Sequence, residues 1–539
     1  MVNENAIGFI FFEGCEEGKT TTKLEFFLLM FPPSQLEEMV GLTNLKLGEH
    51  EHKNITKGEL LKFFGLCILV TRFQFSSRRV LWSSTRPSKY VPAFELGKLT
   101  GMPRNRFDNI WSCLRWSFQP VHREPGITHA EHRWKLVDDF VTRFNNHRAE
   151  NFQPGAHICV DESIVRWYGH GGGWINRGLP HYITIDRKPE NGLEIQNAAC
   201  GETGVMLRLK LVKGGGSEDD AVDNDVPYGA RVLMELLTPW INSQRIVCAD
   251  SYFASVTAAE LLWKNGLKFI GVVKTATRRF PMGHLSAQEL ENRGDRYGVV
   301  RVKENDQECD LLSFVWMDQD HRYFIASGSS LEAGNDMERV RSRQIEDVET
   351  NADPVDVTLR IPQPKACDIY YACCGKIDQH NRCRQDSLDL EKKMGTHFWD
   401  KRANFGIFGM CVVDAWLCFK NTVKTGMTQE DFYMTLAEEL IDNDIDSIRL
   451  RRRRGGGEDG ETSRVVCNDG RPKDSDGIHV TPIGKNMSGR NKNHTIQLRC
   501  KICSKKTTNQ CSQCDPSFAV CSSRTGRDCF RQHYEQTHV

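Results

Sequence analysis

HICVDES at residues 157–163 and RIVCADSYFAS at residues 245–255 decide how this chain reads. Each is a short apolar run closed by an aspartate, Asp161 in the first and Asp250 in the second. Runs of this length, rich in β-branched residues, signal buried strands. An aspartate directly after such a run can end the strand or cap the next helix. It can also be one of several carboxylates that adjacent strands bring to a common point.

The pattern extends outward from these two runs. Glu194 to Cys200 predicts a second strand and Val205 to Val212 (VMLRLKLV) a third, the latter alternating. Tyr228 to Leu237 and Phe253 to Asn265 predict helices, and Leu267 to Val273 (LKFIGVV) a further strand. The resulting order is strand, strand, strand, helix, strand, helix, strand. That is the arrangement of an α/β, ribonuclease-H-like core, with 157–275 as its first part.

Residues 1–156 read as a helical region. Leu60, Leu61, Phe64 and Ile68 recur at helical spacing, as do the apolar residues of Trp134 to Phe144 (WKLVDDFVTRF). No catalytic constellation lies there, so a packing layer is expected. Residues 276–365 are mixed, with strands within Asp310 to Ala326, and read as an insertion. Residues 366–385 return to the core, and 386–440 form a helical region returning to the N-terminal domain. Residues 441–497 read as a linker: acidic (IDNDID), then Arg449 to Arg454, then Gly455 to Gly457. The cysteine-rich end covers 498–539.

A chain of 539 residues exceeds what one hydrophobic core of about 250–300 residues supports, so two or three units are expected. Its 39% hydrophobic and 26% charged residues are globular values. Lys+Arg and Asp+Glu are 71 each, so any nucleic-acid surface must come from local segregation of charge. No apolar run reaches the ~18–20 residues of a membrane span. Ile7 to Phe12 is too short, and lacks the basic flank, to be a signal peptide. The 20 cysteines are scattered through core segments (Cys159, Cys200, Cys248), which fits a reducing compartment.

Phosphoryl transfer on two divalent ions needs several carboxylates converging on metals about 3.5–4 Å apart. Mg²⁺ prefers hard oxygen ligands, so aspartates at the ends of adjacent buried strands suit it. Asp161 and Asp250 fit that use, or a strand-end or cap role. A third carboxylate must come from a later segment folding back, and Asp378 in YYACCGKIDQHNR (370–382) is the candidate, with an ordinary helix-surface aspartate as the alternative.

The last 40 residues carry Cys500-x2-Cys503, Cys511-x2-Cys514, Cys521, Cys529, His533 and His538. Eight such ligands suffice for two structural Zn²⁺ sites. Interleaved pairing puts Cys500, Cys503, Cys521 and Cys529 at one and Cys511, Cys514, His533 and His538 at the other. A disulfide cluster is the competing reading. From Lys485 to Val539 there are 10 Lys+Arg against 3 Asp+Glu, about +7, a balance suited to phosphate contacts. A protein-binding zinc module of the RING or PHD sort is the alternative. Arg451 to Arg454 suit phosphate contacts, nuclear import or a solvated linker.

Three other signals are weaker. Glu13 to Thr21 (EGCEEGKTT) has three residues between Gly14 and Gly18 where a phosphate-binding loop needs four. Gly169 to Gly173 (GHGGG), with His170, reads as an exposed turn. Trp167 and Tyr168 read as core packing, with stacking on flipped bases as the alternative.

VDES (160–163), CADSYFAS (248–255) with Leu261 and Leu262, and YYACCGKID (370–378) together resemble the piggyBac transposase family. So do FFLLMF (26–31), GELLKFFGLCIL (58–69), PRNRF (103–107) and the C-terminal cysteines. The resemblance covers nearly the whole chain, loosely around 276–365. It implies a DDD transposase with a ribonuclease-H-like core, an insertion and a DNA-binding cysteine-rich domain. Such enzymes are nuclear, act as dimers on double-stranded DNA, and join transposon ends to TTAA targets through Mg²⁺ chemistry. By motif position the acidic ligands fall on Asp161, Asp250 and Asp378, with Glu162 following the first. One position departs: the family often has a further aspartate where Asn381 stands, and an amide cannot bring the same charge to a metal. The long N-terminal extension common in the family is also missing ahead of the helical region. The short N-terminus is expected of a truncated or domesticated copy, so beside an active transposase stands the alternative of a domesticated protein that binds DNA or chromatin without cutting it.

Overall fold

The computed structural model describes residues 22–446 except 76, 119–121, 168–180, 182, 186–189, 215–225, 275–277, 303–309, 344–354 and 424–425; beyond them it describes 480–482, 498–507, 509–511, 518–519 and 529. Glu13 to Thr21, Tyr168, Gly169 to Gly173 and Arg449 to Arg454 lie outside the described residues. The chain divides into two units, residues 1–449 and 450–539.

Among the described residues, the first unit begins with α1 (Lys23–Met30), α2 (Pro33–Glu49), α3 (Lys57–Thr71), α4 (Leu96–Thr100), α5 (Arg104–Cys113) and α6 (His129–Asn151). Their starts are written in the sequence. The Thr22, Thr56 and Thr128 side chains accept from the third N–H of α1, α3 and α6. Glu25 and Glu131 reach back to complete capping boxes on α1 and α6.

The chain then runs through β1 (His157–Arg166), β2 (Ile183–Ile185), β3 (Glu190–Cys200), β4 (Met206–Leu211), α7 (Tyr228–Leu237), β5 (Ile246–Ala249), α8 (Val256–Lys264) and β6 (Lys268–Val273). There follow α9 (Met282–Ser286), β7 (Arg296–Arg301), β8 (Leu311–Met317), β9 (His321–Ser327), β10 (Met337–Arg343) and β11 (Val355–Ile361). Strands β1 to β9 share one nine-stranded sheet in the order β2-β3-β1-β5-β6-β9-β8-β7, with β4 also paired to β3. β5 runs parallel to both its neighbours, β1 and β6, and the other pairings are antiparallel. The architecture is therefore mixed α/β around a large mixed sheet.

Three sequence expectations shift in detail. β1 does not end at Asp161 but continues to Arg166, because Ile164 and Val165 are buried and pair with Glu194 and Leu193 of β3. The helix after Asp250 begins at Val256 rather than Phe253: the Ser255 hydroxyl caps it, accepting from Ala258 N at 3.0 Å. Residues 276–365, read as an insertion, continue the same sheet on its far side, since β9 pairs with β6 from Phe269↔Ser327 to Val273↔Tyr323. β10 and β11 form a separate two-stranded ribbon.

After the ribbon come α10 (Lys365–Cys373), α11 (Lys376–Arg382), a π-helical turn (Cys383–Leu388), α12 (Leu390–Lys393), α13 (Trp399–Val423) and α14 (Gln429–Ile441). α13 is long and apolar enough to cross a membrane by length and composition, but 89% of its apolar window is buried inside the protein, as in a central core helix. Phe408 of α13 stacks on Phe64 of α3 at 4.5 Å and meets Phe27 and Phe31 edge-on at 5.8 and 5.9 Å. Such pairs add to the burial energy of the rings. Gly406 lets α13 lie directly on the sheet: a Cβ there would fall 2.6 Å from the Val165 side chain of β1. Gly65 does the same between α3 and α14, where a Cβ would fall 2.7 Å from the Ala437 carbonyl. The helices at both ends of the unit thus form one layer over the sheet.

The second unit contains β12 (Val480–Pro482), β13 (Leu498–Arg499), β14 (Lys506–Thr507), β15 (Asn509–Cys511) and β16 (Phe518–Ala519). β13 and β14 make a hairpin, and β12-β15-β16 a small antiparallel sheet.

Candidate functional site

The parallel pairing of β1 and β5 ends at Val160↔Ala249, so Asp161 and Asp250 occupy the next position on neighbouring strands. Parallel neighbours lie about 4.8 Å apart, which brings the two carboxylates together without any long connection. Asp161 Oδ1 accepts from Glu162 N at 2.9 Å, and Asp250 Oδ1 from Tyr252 N at 2.8 Å. The Asp250 carbonyl accepts from Phe253 and Ala254, so the turn leaving β5 wraps the aspartate in its own backbone.

Glu162 and Glu194 join them, and all four acids are half-buried. Burial, reinforced by the adjoining Glu162 carboxyl and by Asp250, pushes Asp161 up to about 9. Burial also raises Asp250 and Glu194, each with a further contribution from Glu162. Lys274, just past β6, opposes this at Asp250. A cation placed among crowded, buried carboxyls relieves both the cost of their burial and their mutual repulsion. The donors are hard oxygens, three within strands β1 and β3 and one just past the end of β5, which fits a divalent ion such as Mg²⁺.

Asp378 lies in the first turn of α11 and is exposed. It borders the site through Cys374, whose thiol is pushed up to about 12 by burial together with nearby Cys159, Asp161 and Asp378. The Cys374 carbonyl accepts from the Cys159 thiol of β1 at 3.7 Å. The three aspartates do not form one tight cluster: among the described residues, the only group of three or more acidic, histidine or cysteine donors within 4.8 Å of one another is a cysteine trio.

α11 is fixed from below by a buried polar knot. His380 Nε2 lies 3.1 Å from Asp414 Oδ1 on α13, and Asp414 Oδ2 takes the Arg148 guanidinium of α6 at 2.7 Å. Asp414 Oδ1 also accepts from Met206 N at 2.9 Å, while Arg148 Nε donates to the Met206 carbonyl at 3.0 Å. All three side chains are at most 1% exposed. Since Asp414 is an acceptor, the histidine presents Nε2–H to it. One knot therefore ties α6, β4, α11 and α13 together.

Asn381 has a partner of its own. Its Oδ1 accepts from Arg384 Nη2 at 3.3 Å. Arg384 is buried, pairs with Glu391 and donates to the Ile164 carbonyl of β1 at 2.9 Å. Gln385 donates to the same carbonyl at 2.6 Å. The amide thus belongs to the clasp that holds the π-helical turn on β1.

In the second unit the sulfurs of Cys500, Cys503 and Cys529 lie within 4.8 Å of one another, all as free thiols. The Cys500-x2-Cys503 turn is closed by Ser504 N donating to the Cys500 carbonyl and Cys500 N to the Lys505 carbonyl, both at 2.8 Å. A tetrahedral zinc with ~2.3 Å bonds needs sulfurs about 3.8 Å apart, so the trio fits three corners of such a site. Cys511 stands in β15; Cys514, Cys521, His533 and His538 lie outside the described residues.

Pattern reading missed Glu194, Lys274 and the Arg148–Asp414–His380 knot. Nothing in their local sequence marks them, because each acts through neighbours brought in by folding. Trp167 is half-buried with the Arg402 guanidinium 5.7 Å from its ring centre.

A family description of DDE type, Transposase IS4, matches residues 22–416. The chain belongs to the piggyBac-type transposase family. The matched span holds all three aspartates, and the cysteine-rich end lies beyond it. Comparison with curated proteins gives no match. Among solved structures, the cryo-EM structure of a piggyBac transposase synaptic complex with hairpin DNA is similar in fold: TM-score 0.58 and 18% identity, over 94% of this chain and 98% of that one.

Proposed function

We propose that this transposase-family chain cuts and joins DNA strands at transposon ends in a Mg²⁺-dependent reaction directed to TTAA targets. The observation that carries the reading is the adjacency of Asp161 and Asp250 on parallel strands, with burial holding their carboxyls above the ordinary range. In this reading the core β4-β3-β1-β5-β6 is the ribonuclease-H-like element, and the later strands belong to the insertion. Asp161, Asp250 and Asp378 hold the metals, and the fixed Tyr252 N–H keeps Asp250 oriented. Bound divalent ions would supply an activated attacking oxygen and stabilise the leaving one. Lys274 offsets part of the negative charge that a phosphate must approach. The likeness to a transposase solved with DNA supports DNA as partner; in this reading the partner is double-stranded DNA, the chain binds it as a homodimer, and it acts in the nucleus. Two structural Zn²⁺ ions would order the cysteine-rich end, the first on Cys500, Cys503, Cys529 and Cys521.

A second reading rests on Asn381. Its carbonyl serves Arg384, so one acid common in the family is replaced by a structural amide. A chain that binds DNA and no longer cuts it would look the same elsewhere.

Cleavage of transposon-end DNA with Mg²⁺ separates the readings. Metal-dependent cutting by wild type, abolished in Asp161→Ala, supports the enzyme; wild-type binding without cutting supports the second reading. Metal analysis of the full chain should find two zinc ions, and their absence overturns the zinc assignment.

A further inference from the structure

Tyr252 stands two residues after Asp250, and 58% of it is open to solvent. Large aromatic side chains are usually covered, although single exposed ones are unremarkable on their own. What sets this ring apart is how firmly it is held beside a proposed metal ligand. Its backbone N–H donates to Asp250 Oδ1 at 2.8 Å. Its carbonyl lies against the start of α7, where a Cβ on Gly229 would fall 2.9 Å from it. The ring meets buried Phe253 edge-to-face at 5.0 Å and 83°, and Tyr228 at 6.5 Å and 76°. Neither of these rings lies flat upon it.

We infer that Tyr252 is a substrate-binding residue that stacks on the unpaired nucleobase next to the scissile phosphate. The inference rests on the proposed function, since it is the strand entering between the carboxylates that meets this ring. A rigid, neutral aromatic surface gains from stacking on any base, so it grips a strand without selecting sequence. It also suits an acidic site, where a cationic side chain would be drawn to the carboxylates and compete with the metals. Fixing one base relative to Asp250 sets the position of the neighbouring phosphate over the metal site.

The test uses the full-length protein and a transposon-end duplex carrying 2-aminopurine at the base flanking the cleavage position. Stacking on an aromatic ring changes the fluorescence of this base, and the reading is taken in an Asp161→Asn background so that the DNA stays intact. The expected result is a fluorescence change with the Tyr252 ring present, kept in Tyr252→Phe and lost in Tyr252→Leu and Tyr252→Ala. In the otherwise wild-type enzyme, Tyr252→Leu should raise KM about 10-fold or more, while Tyr252→Phe stays within about 3-fold. Melting temperatures equal to wild type exclude a folding defect. Unchanged fluorescence and KM in Tyr252→Leu, with wild type cutting normally, overturn the inference and leave the proposed function standing. A ring-dependent fluorescence change in a protein that never cuts supports the inference and overturns the proposed chemistry.

Discussion

Replacing Asp414 by alanine tests whether the buried knot holds the molecule together and positions α11. Asp414 and Arg148 are 2.7 Å apart, with side chains 0% and 1% exposed. Without the carboxylate, the guanidinium keeps its bond to the Met206 carbonyl and its place over the Phe144 ring at 4.7 Å, but no counter-charge. An uncompensated buried charge of this kind costs about 3–5 kcal/mol. The Met206 N–H and the His380 Nε2 also lose their acceptor, and each adds about 1 kcal/mol or more where water cannot replace it. Asp414→Ala should therefore lose about 4 kcal/mol or more of folding stability, measured by urea unfolding followed by tryptophan fluorescence. Arg148→Met with Asp414→Leu removes both charges. It should be less destabilised than the sum of the single changes by about 2 kcal/mol or more, which a double-mutant cycle measures. His380 lies two residues from Asp378, so Asp414→Asn should slow metal-dependent cleavage by about 10-fold or more while still folding. A loss below ~1 kcal/mol in Asp414→Ala, or additive single changes, would refute the reasoning, because it would mean the knot is solvated.

Four further outcomes follow from named contacts. Lys401, 4% exposed, donates to the Trp111 carbonyl at 2.7 Å, and burial lowers it to about 8. The unfolded lysine, near 10.4, then binds more protons than the folded one between pH 8 and 10.4, so stability should rise with pH in that window, on the order of 2 kcal/mol by pH 10. Lys401→Met should flatten that rise relative to wild type in denaturation curves taken from pH 7 to 10. Asp161→Asn should raise the melting temperature in metal-free buffer and abolish any further rise with Mg²⁺, since it removes a carboxyl that burial disfavours and a proposed metal ligand. Gly406→Val should cost about 1–3 kcal/mol, because even a Cβ falls 2.6 Å from Val165, and a wild-type urea midpoint would show that α13 can shift off the sheet. Asn381→Asp should gain an ion pair with Arg384 and alter Mg²⁺-dependent cleavage by less than about 3-fold; a large gain in cutting would show that position 381 reaches the metals.

The elements around the two aspartates were legible because their signals are local. RIVCA and LKFIGVV are apolar runs bounded by breakers, and the structure makes them β5 and β6 within a residue at each end. The alternation of VMLRLKLV reports one covered face, and β4 lies within it. What no local signal announced had non-local causes. β1 passes beyond Asp161 because β3 comes back to pair with it. β7, β8 and β9 extend the central sheet because β9 finds the free edge of β6. Neither pairing leaves a mark in the strand's own sequence.

By itself, the sequence determined that Asp161 and Asp250 each directly follow a buried apolar run, because apolar periodicity and chain order are local properties. It also carried the motifs that mark the family. Only the tertiary structure decided that the two aspartates are next neighbours on parallel strands, that Glu162 and Glu194 crowd them, and that Lys274 opposes their charge at Asp250. It alone assigned Asn381 to Arg384 and tied the helix of Asp378 to Arg148, 230 positions earlier in the chain, through Asp414 and His380. Charges and hydrogen bonds act through space over a few ångströms, and only the folded chain brings such distant positions that close.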